Sequence, residues 1–160
     1  MIQNWEGELV VFALDHQLHG LPIKQVDRVY RIFEIRPAAS DAPALLGVAD
    51  IQGWIVPVFN TRYLLGLPGR DFELSDQVIQ VKTQSGPAAL WVDGGTHIWK
   101  PAPDARAEAG ELPGNPLPKS TVAVLRYSVG LVFVHDLEIL LNALVELPKA
   151  GLSVGGIGNR

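Results

Sequence analysis

Four histidines, one histidine–aspartate pair and a "GLSVG" pentapeptide are the residues of this 160-residue chain whose types and spacing invite a chemical reading. His16 and His19 stand three apart, but "DHQLHG" reads as a polar hairpin turn, in which both side chains should be solvated. No carboxylate or further histidine completes them at a metal-site spacing, and the absence of cysteine removes any thiolate ligand, so no metal is expected. His135-Asp136 lies where a strand pattern gives way to a helix pattern. Adjacent strand residues face opposite ways, so an acid–base pair is disfavoured and Asp136 is expected to cap the helix. "GLSVG" (Gly151 to Gly155) matches the G-x-S-x-G nucleophile elbow letter for letter. That motif needs a strand before the Ser, a helix after it, and an Asp and a His further along. Here a helix pattern precedes it and only five residues follow. Gly155, Gly156 and Gly158 fail as a phosphate cradle because no helix N-terminus comes after them. No catalytic residue and no cofactor is expected.

The elements that must position any site are short β-type runs punctuated by Gly and Pro. "ELVVFAL" and "RVYRIFEI" (Arg28 to Ile35) read as strands, with "LPIKQV" returning between them. "LLGVADI" and "WIVPVF" read as two strands around a Gln52-Gly53 turn. Pro57 has no N–H to donate, which places it at a sheet edge or a bulge. Asn60 is a plausible N-cap for one or two helical turns ending at Gly66. After the linker "PGRDFELSD" come "QVIQVKT", "PAALWVD" and "THIW". A Pro- and Ala-rich loop follows from Lys100 to Lys119. Then "STVAVLRYSVGLVFVHD" gives a strand, a turn and a strand. The best helix pattern is "DLEILLNALVEL" (Asp136 to Leu147), with Leu137, Leu140, Leu141, Leu144 and Val145 near one face. Among the tryptophans, Trp91 and Trp99 read as core and Trp5 as a surface residue. Trp54, beside the turn, reads either as core or as an interface anchor at a barrel rim.

The pattern occurs twice. "GVADIQGWIVPVFNTRYLL" moved by 76 positions meets "AVLRYSVGLVFVHDLEILL", aligning Val48 with Val124, Ile55 with Leu131, Val58 with Val134 and Leu64 with Leu140. The opening hairpins also match, "VFALDHQLHGLPI" against "VIQVKTQSGPAALWV". Two copies of about five strands, each closed by a helix, imply a mainly β fold of two small barrels that share strands or pack tightly. Residues 1–147 are expected to form one domain, with halves near 15–70 and 75–135 and crossing strands. Residues 148–160 are expected to be a flexible Gly-rich tail.

Composition narrows the function classes. Hydrophobic residues make up 48%, enough for a packed core. A net charge of −4 argues against nucleic acid as a partner and against an acidic membrane surface. No apolar run approaches the roughly 20 residues that span a bilayer, and "MIQNWEGELVVF" has no basic n-region. A cytoplasmic protein without direct membrane insertion is expected.

"GVADIQG", "IVPV" and "FNTR" in this order, with "VVFALDHQLHGLPIKQVDRV" before them and "ALWVDGG" and "GLVFVHDLEILL" after, resemble the CheW-like family of chemotaxis coupling proteins. The resemblance runs from about Glu8 to Leu147. It implies two five-stranded SH3-like β-barrels around a shared core, with a short helix after the first and a C-terminal helix. It also implies a non-enzymatic adaptor linking the cytoplasmic tip of a chemoreceptor to the regulatory domain of a CheA-like histidine kinase. On motif position, the partner-binding residues are Ile23, Val26 and Val29 on the early strands and Asp50, Gln52, Trp54, Asn60 and Arg62 around the central hairpin. Three of these depart from the family pattern: Asp50 stands for Asn, Gln52 for Arg and Asn60 for Asp, while Arg62 is retained. The family's Arg and Asp suggest a charge-assisted pair that stiffens the hairpin. A neutral Gln52–Asn60 pair would keep a hydrogen bond and lose the charge. Either the pair has drifted structurally or recognition has changed, as in another chemosensory or surface-motility pathway. From another class, a groove lined by Trp and Leu would suit a small-ligand-binding β-barrel. An enzyme ranks last.

Overall fold

The computed structural model describes residues 7–37, 42–114, 116–128 and 130–142. Trp5, the helix pattern beyond Asn142 and the "GLSVG" tail lie outside the described residues. Among the described residues, ten strands and two short α-helices follow in the order β1 (Leu9–Leu14), β2 (Gln17–Pro22), β3 (Val26–Arg31), β4 (Leu45–Ile51), β5 (Trp54–Asn60), α1 (Thr61–Leu64), β6 (Gln77–Thr83), β7 (Gly86–Val92), β8 (Gly94–Trp99), β9 (Thr121–Tyr127), β10 (Gly130–His135) and α2 (Leu137–Leu141). The protein is mainly β, in two five-stranded sheets. The first runs β8-β1-β2-β10-β9 and the second β3-β6-β7-β5-β4.

The repeat explains the topology. Hairpin β1-β2 corresponds to β6-β7, and the β9-β10-α2 unit to β4-β5-α1. In each sheet a hairpin meets the closing unit through a parallel pair, β2 with β10 and β7 with β5. The third strand of each copy is exchanged. β3 follows β2 in the chain but pairs with β6, and β8 follows β7 but pairs with β1. The two sheets therefore share strands across the repeat. Each also curls until the segment beyond its exchanged strand touches the opposite edge through one bridge, Arg36 to Val48 and Arg106 to Leu125. The second bridge lies within the long 100–119 connection, so part of that loop is tied to β9. Gly47 makes the first possible, because a Cβ there would lie 2.1 Å from the Arg36 carbonyl oxygen.

Strand alternation then fixes three layers of core. Leu9, Val11, Leu125, Val132 and Val134 fill the concave side of the first sheet. Ala49, Ile51, Val56, Val58, Val78 and Trp91 fill that of the second. Between the sheets lies a shared core: Phe12, Leu14 and Leu21 from one, Phe59, Ile79, Leu90 and Val92 from the other, and Leu137 and Leu140 of α2. Each fully buried Leu or Phe of that layer stabilises the fold by about 2–3 kcal/mol, so this layer ties the two sheets together.

Three sequence expectations about local structure are corrected. β3 begins two residues earlier and ends four residues before the reading, and a 3₁₀ turn at Ile23–Gln25 separates it from β2. His19 is not a solvated turn residue; it lies within β2 and is buried. Pro57 sits neither on an edge strand nor at a bulge, since β5 has β4 on one side and β7 on the other. Its partner Val48 spends both its N–H and its carbonyl on Arg36, so the Val48–Pro57 pair is not hydrogen-bonded. The Pro57 nitrogen therefore faces away from β4, where the ladder with β7 begins only at Val58. Its missing donor costs nothing there.

Candidate functional site

The central hairpin reverses in two residues. Gln52 and Gly53 both have positive φ, 54° and 88°, as a tight turn compatible with strand twist requires. The Asp50 carboxylate accepts the Gly53 N–H at 2.9 Å and stabilises the reversal. The turn presents two large apolar side chains to solvent, Trp54 at 69% and Ile55 at 63% exposure. Of the two readings of Trp54, the structure supports the exposed one. Trp54 borders a cleft of about 360 Å³ with Asp27 of β3 and residues 80–83, 86 and 87 of the β6-β7 hairpin. Val26 pairs with Val81 on the rim of the same cleft. The fold thus brings the early strand beside the central hairpin, although β3 and β5 are not neighbours in the sheet.

Apart from Val26 at that rim, the remaining candidates do not line this cleft. Ile23, Val26 and Val29 are half-buried, and Val26 and Val29 pack on the shared core. Asn60 lies at the opposite end of β5 from Gln52, about 20 Å along the strand. The expected Gln52–Asn60 pair does not form. Asn60 instead caps α1, accepting the Tyr63 N–H at 3.4 Å. Asn and Asp are equivalent N-caps, which accounts for that departure from the family pattern without any change of partner.

Arg62 is turned inward and buried. Its Nε and Nη2 donate to Asp93 at 3.1 and 2.7 Å, its Nη1 donates to the Pro68 carbonyl at 2.7 Å, and Nη2 also meets Asp15. Four donor contacts are committed within the protein, so the guanidinium is not available to a partner on this surface. The hydrogen bond to Asp93 raises the Arg62 pKa above its ordinary value. The network continues through Arg70, 2.8 Å from Asp93 and 2.6 Å from Asp76, to the indole N–H of Trp91, which donates to Asp76 at 3.0 Å. Burial alone would raise the pKa values of Asp76 and Asp93, but hydrogen bonds from Arg70 and Arg62 respectively help hold both below the usual carboxylate range.

This network is half of a cross-clamp. α1 follows the second sheet, and its Arg62 grips Asp15 in the β1-β2 turn of the first. α2 follows the first sheet, and its Glu138 accepts the Gln84 N–H of the β6-β7 turn at 2.9 Å. Arg62 and Glu138 are 76 positions apart, the period of the repeat. Asp136 caps α2 as expected, accepting the Ile139 N–H at 3.0 Å.

A buried polar chain was missed because each member looked ordinary in sequence. His19 Nδ1 lies 2.8 Å from His135 Nε2, and His135 Nδ1 lies 2.7 Å from Ser120 Oγ. The connectivity is that of a hydroxyl nucleophile with two histidines. Burial pushes the His19 pKa down to about 4 and that of His135 well below its ordinary value, so His135 is a poor base near neutrality. Ser120 is itself 4% exposed. The 76-residue alignment carries no signal for this chain; the parallel β2-β10 pair creates it.

Residues 8–143 match the family model of the CheW-like domain. The chain belongs to the CheW-like family. Its fold is similar to that of the scaffolding protein TtCheW from Thermoanaerobacter tengcongensis, with a TM-score of 0.73 at 20% identity, over 84% of this chain and 92% of that one. No curated protein matches the chain in sequence. As a CheW-like protein it is a scaffold or coupling protein of the chemotaxis class. Among the described residues no helix is long and apolar enough to cross a membrane, and no group of three or more His, Asp or Glu is placed to hold a metal ion.

Proposed function

We propose that this CheW-like protein is a non-enzymatic adaptor that couples the cytoplasmic tip of a chemoreceptor to the regulatory domain of a CheA-like histidine kinase. The observation that carries the reading is the exposed Trp54–Ile55 pair on a rigid hairpin beside a cleft. Large apolar side chains held in water without structural need mark an interaction surface. The contact set that follows is Asp50, Gln52 and Trp54 at the hairpin, with Val26 at the rim of the cleft; Ile23 and Val29 are carried into it by motif position alone. Asn60 and Arg62 contribute by holding α1. Asp50 keeps the turn-forming role that Asn would have, so Gln52 is the departure free to alter recognition.

Titration calorimetry with a receptor-tip fragment and with the kinase regulatory domain, both from the same genome, tests the reading. The protein should bind both. Trp54→Ala should weaken one of them about 30-fold, the scale of a truncated interface anchor, with the melting temperature unchanged. Absence of binding to either partner overturns the proposal. A small-ligand barrel is the weaker reading, since this cleft and a second of about 320 Å³ sit at the low end of ligand-site volumes.

A further inference from the structure

The buried chain has a direction. Gln17 is exposed, and its Oε1 lies 3.1 Å from His19 Nε2. An amide oxygen only accepts, so His19 carries its proton on Nε2 and its Nδ1 must accept. His135 Nε2–H therefore donates to His19, and His135 Nδ1 accepts from the Ser120 hydroxyl. Every ring nitrogen is used, and both rings are neutral. His19 also stacks on Phe12 and meets the tilted ring of Phe133, with ring centroids at 5.8 and 5.7 Å.

The chain joins one strand to the start of one helix. His19 is on β2, and His135 ends β10 immediately before the cap of α2. Ser120 also accepts the Asp136 N–H through its carbonyl at 2.8 Å. One added proton can be accommodated in hydrogen bonds: His135 changes tautomer and Ser120 turns from donor to acceptor. It cannot be accommodated in charge, because an unpaired cation in the interior is costly. A second proton sets two donors face to face. Among the described residues no carboxylate touches either ring, whose nitrogens meet only Gln17, Ser120 and each other. Asp15 is paired with Arg62, Asp136 and Glu138 accept the Ile139 and Gln84 N–H groups, and Lys119 beside Ser120 and His16 in the β1-β2 turn bring no negative charge. Water is nearest at the exposed Gln17 end and in the 320 Å³ cleft bordered by Ser120, Ile139, Leu140 and Asn142.

We propose that Gln17–His19–His135–Ser120 is an acid-sensitive latch. Neutral, it fastens α2 to the first sheet; protonated, it opens that end and loosens α2 from the shared core while the second sheet stays folded. The lowered proton affinity of both rings places the opening below neutrality. Imidazole ¹⁵N spectra and amide hydrogen exchange on the wild-type protein, from about pH 7 to about pH 3.8, which passes the His19 value of about 4 and stays above the window in which Asp76 and Asp93 are lost, test it. Near neutrality both rings should show the neutral Nε2–H tautomer. As they protonate, the amides of Asp136 and Leu140 should lose at least about tenfold protection, corrected for intrinsic rates, while those of Val78 and Val81 keep theirs. The double variant His19→Phe/His135→Phe should show no such selective step; if it does not fold, the wild-type spectra decide alone. Ring titration at the ordinary histidine value, Nδ1–H tautomers, or simultaneous loss of protection in both sheets would each overturn the latch.

Discussion

Arg62 should be the most consequential exposed-looking letter of the central motif, because it stabilises rather than recognises. Arg62→Met keeps most of the apolar stem and removes the guanidinium. Asp93, with a side chain 14% exposed, then loses its two-point partner at 3.1 and 2.7 Å, and Asp15 and the Pro68 carbonyl lose a donor. Breaking a buried ion pair by removing one partner costs about 3–5 kcal/mol. Asp93 retains Arg70 at 2.8 Å and the Asp15 N–H at 2.6 Å, which puts the expected cost near the lower end, about 3 kcal/mol. For a chain of this size that lowers the melting temperature by about 6–12 °C. Urea denaturation of the wild type, Arg62→Met, Asp93→Asn and the double variant reads the loss as a shifted midpoint at constant slope. Asp93→Asn removes the charge that Arg62 leaves stranded, so the double variant should be less damaged than the sum of the singles. A coupling energy of at least about 1 kcal/mol is expected between residues in such direct contact. A loss below 1 kcal/mol for Arg62→Met, or additive singles, would refute the clamp and return Arg62 to the list of surface contacts.

Three further outcomes follow from the same geometry. Val58→Asp puts an unpaired carboxylate on a fully buried position of β5 and should abolish cooperative folding, as should Val56→Asp; a normal melting curve for either would refute their burial. Gln52→Arg should leave stability within about 0.5 kcal/mol, because the exposed side chain has no pair to restore; stronger binding to a family-standard receptor tip would then show that recognition diverged at this residue, and unchanged binding would point to drift. Stability should fall in two separate acid windows, followed by denaturation at stepped pH. His19 binds its proton less readily folded than unfolded, so its contribution is complete above its ordinary value of 6.5 and is lost as pH falls toward about 4. Asp76 and Asp93 have lowered folded values, so theirs persists above 3.8 and is lost only at lower pH. A single transition below 3.8 would contradict the neutral burial of His19.

The fold was legible because apolar alternation and the 76-residue repeat survive in single letters: Val48 with Val124 and Val58 with Val134 hold equivalent places in their sheets. Strand exchange was visible only as an expectation that two small barrels must share edges. Nothing in "RVYRIFEI" says that β3 pairs with β6 rather than with its predecessor. The hairpin and both helix caps could be read, since Gln52-Gly53, Asn60 and Asp136 act through contacts three residues away or fewer. What could not be read is what distant contacts decide. Gln52 and Asn60 are near in sequence and far apart in space, while His19 and His135, 116 residues apart, share a hydrogen bond. Arg62 looked like a surface charge because its partners, Asp15 and Asp93, lie 47 and 31 residues away.

The two arms of the cross-clamp are built with unequal strength, and the inequality bears on how an adaptor can respond. At α1 the tie between the sheets is ionic and multiple, with Arg62, Asp15, Asp93 and Arg70 in mutual contact. At α2 the equivalent tie among the described residues is one backbone N–H on Glu138, supplemented by the histidine chain behind it. Against an ionic or acid disturbance the two ends differ, because the α1 tie is charged while α2 is held by that bond, the histidine chain and the burial of Leu137 and Leu140. The hairpin that presents Trp54 belongs to the sheet whose exit helix is firmly held. On the proposed function, the hairpin's recognition surface stands on the half with the ionic tie, and the acid latch proposed for α2 lies in the other half.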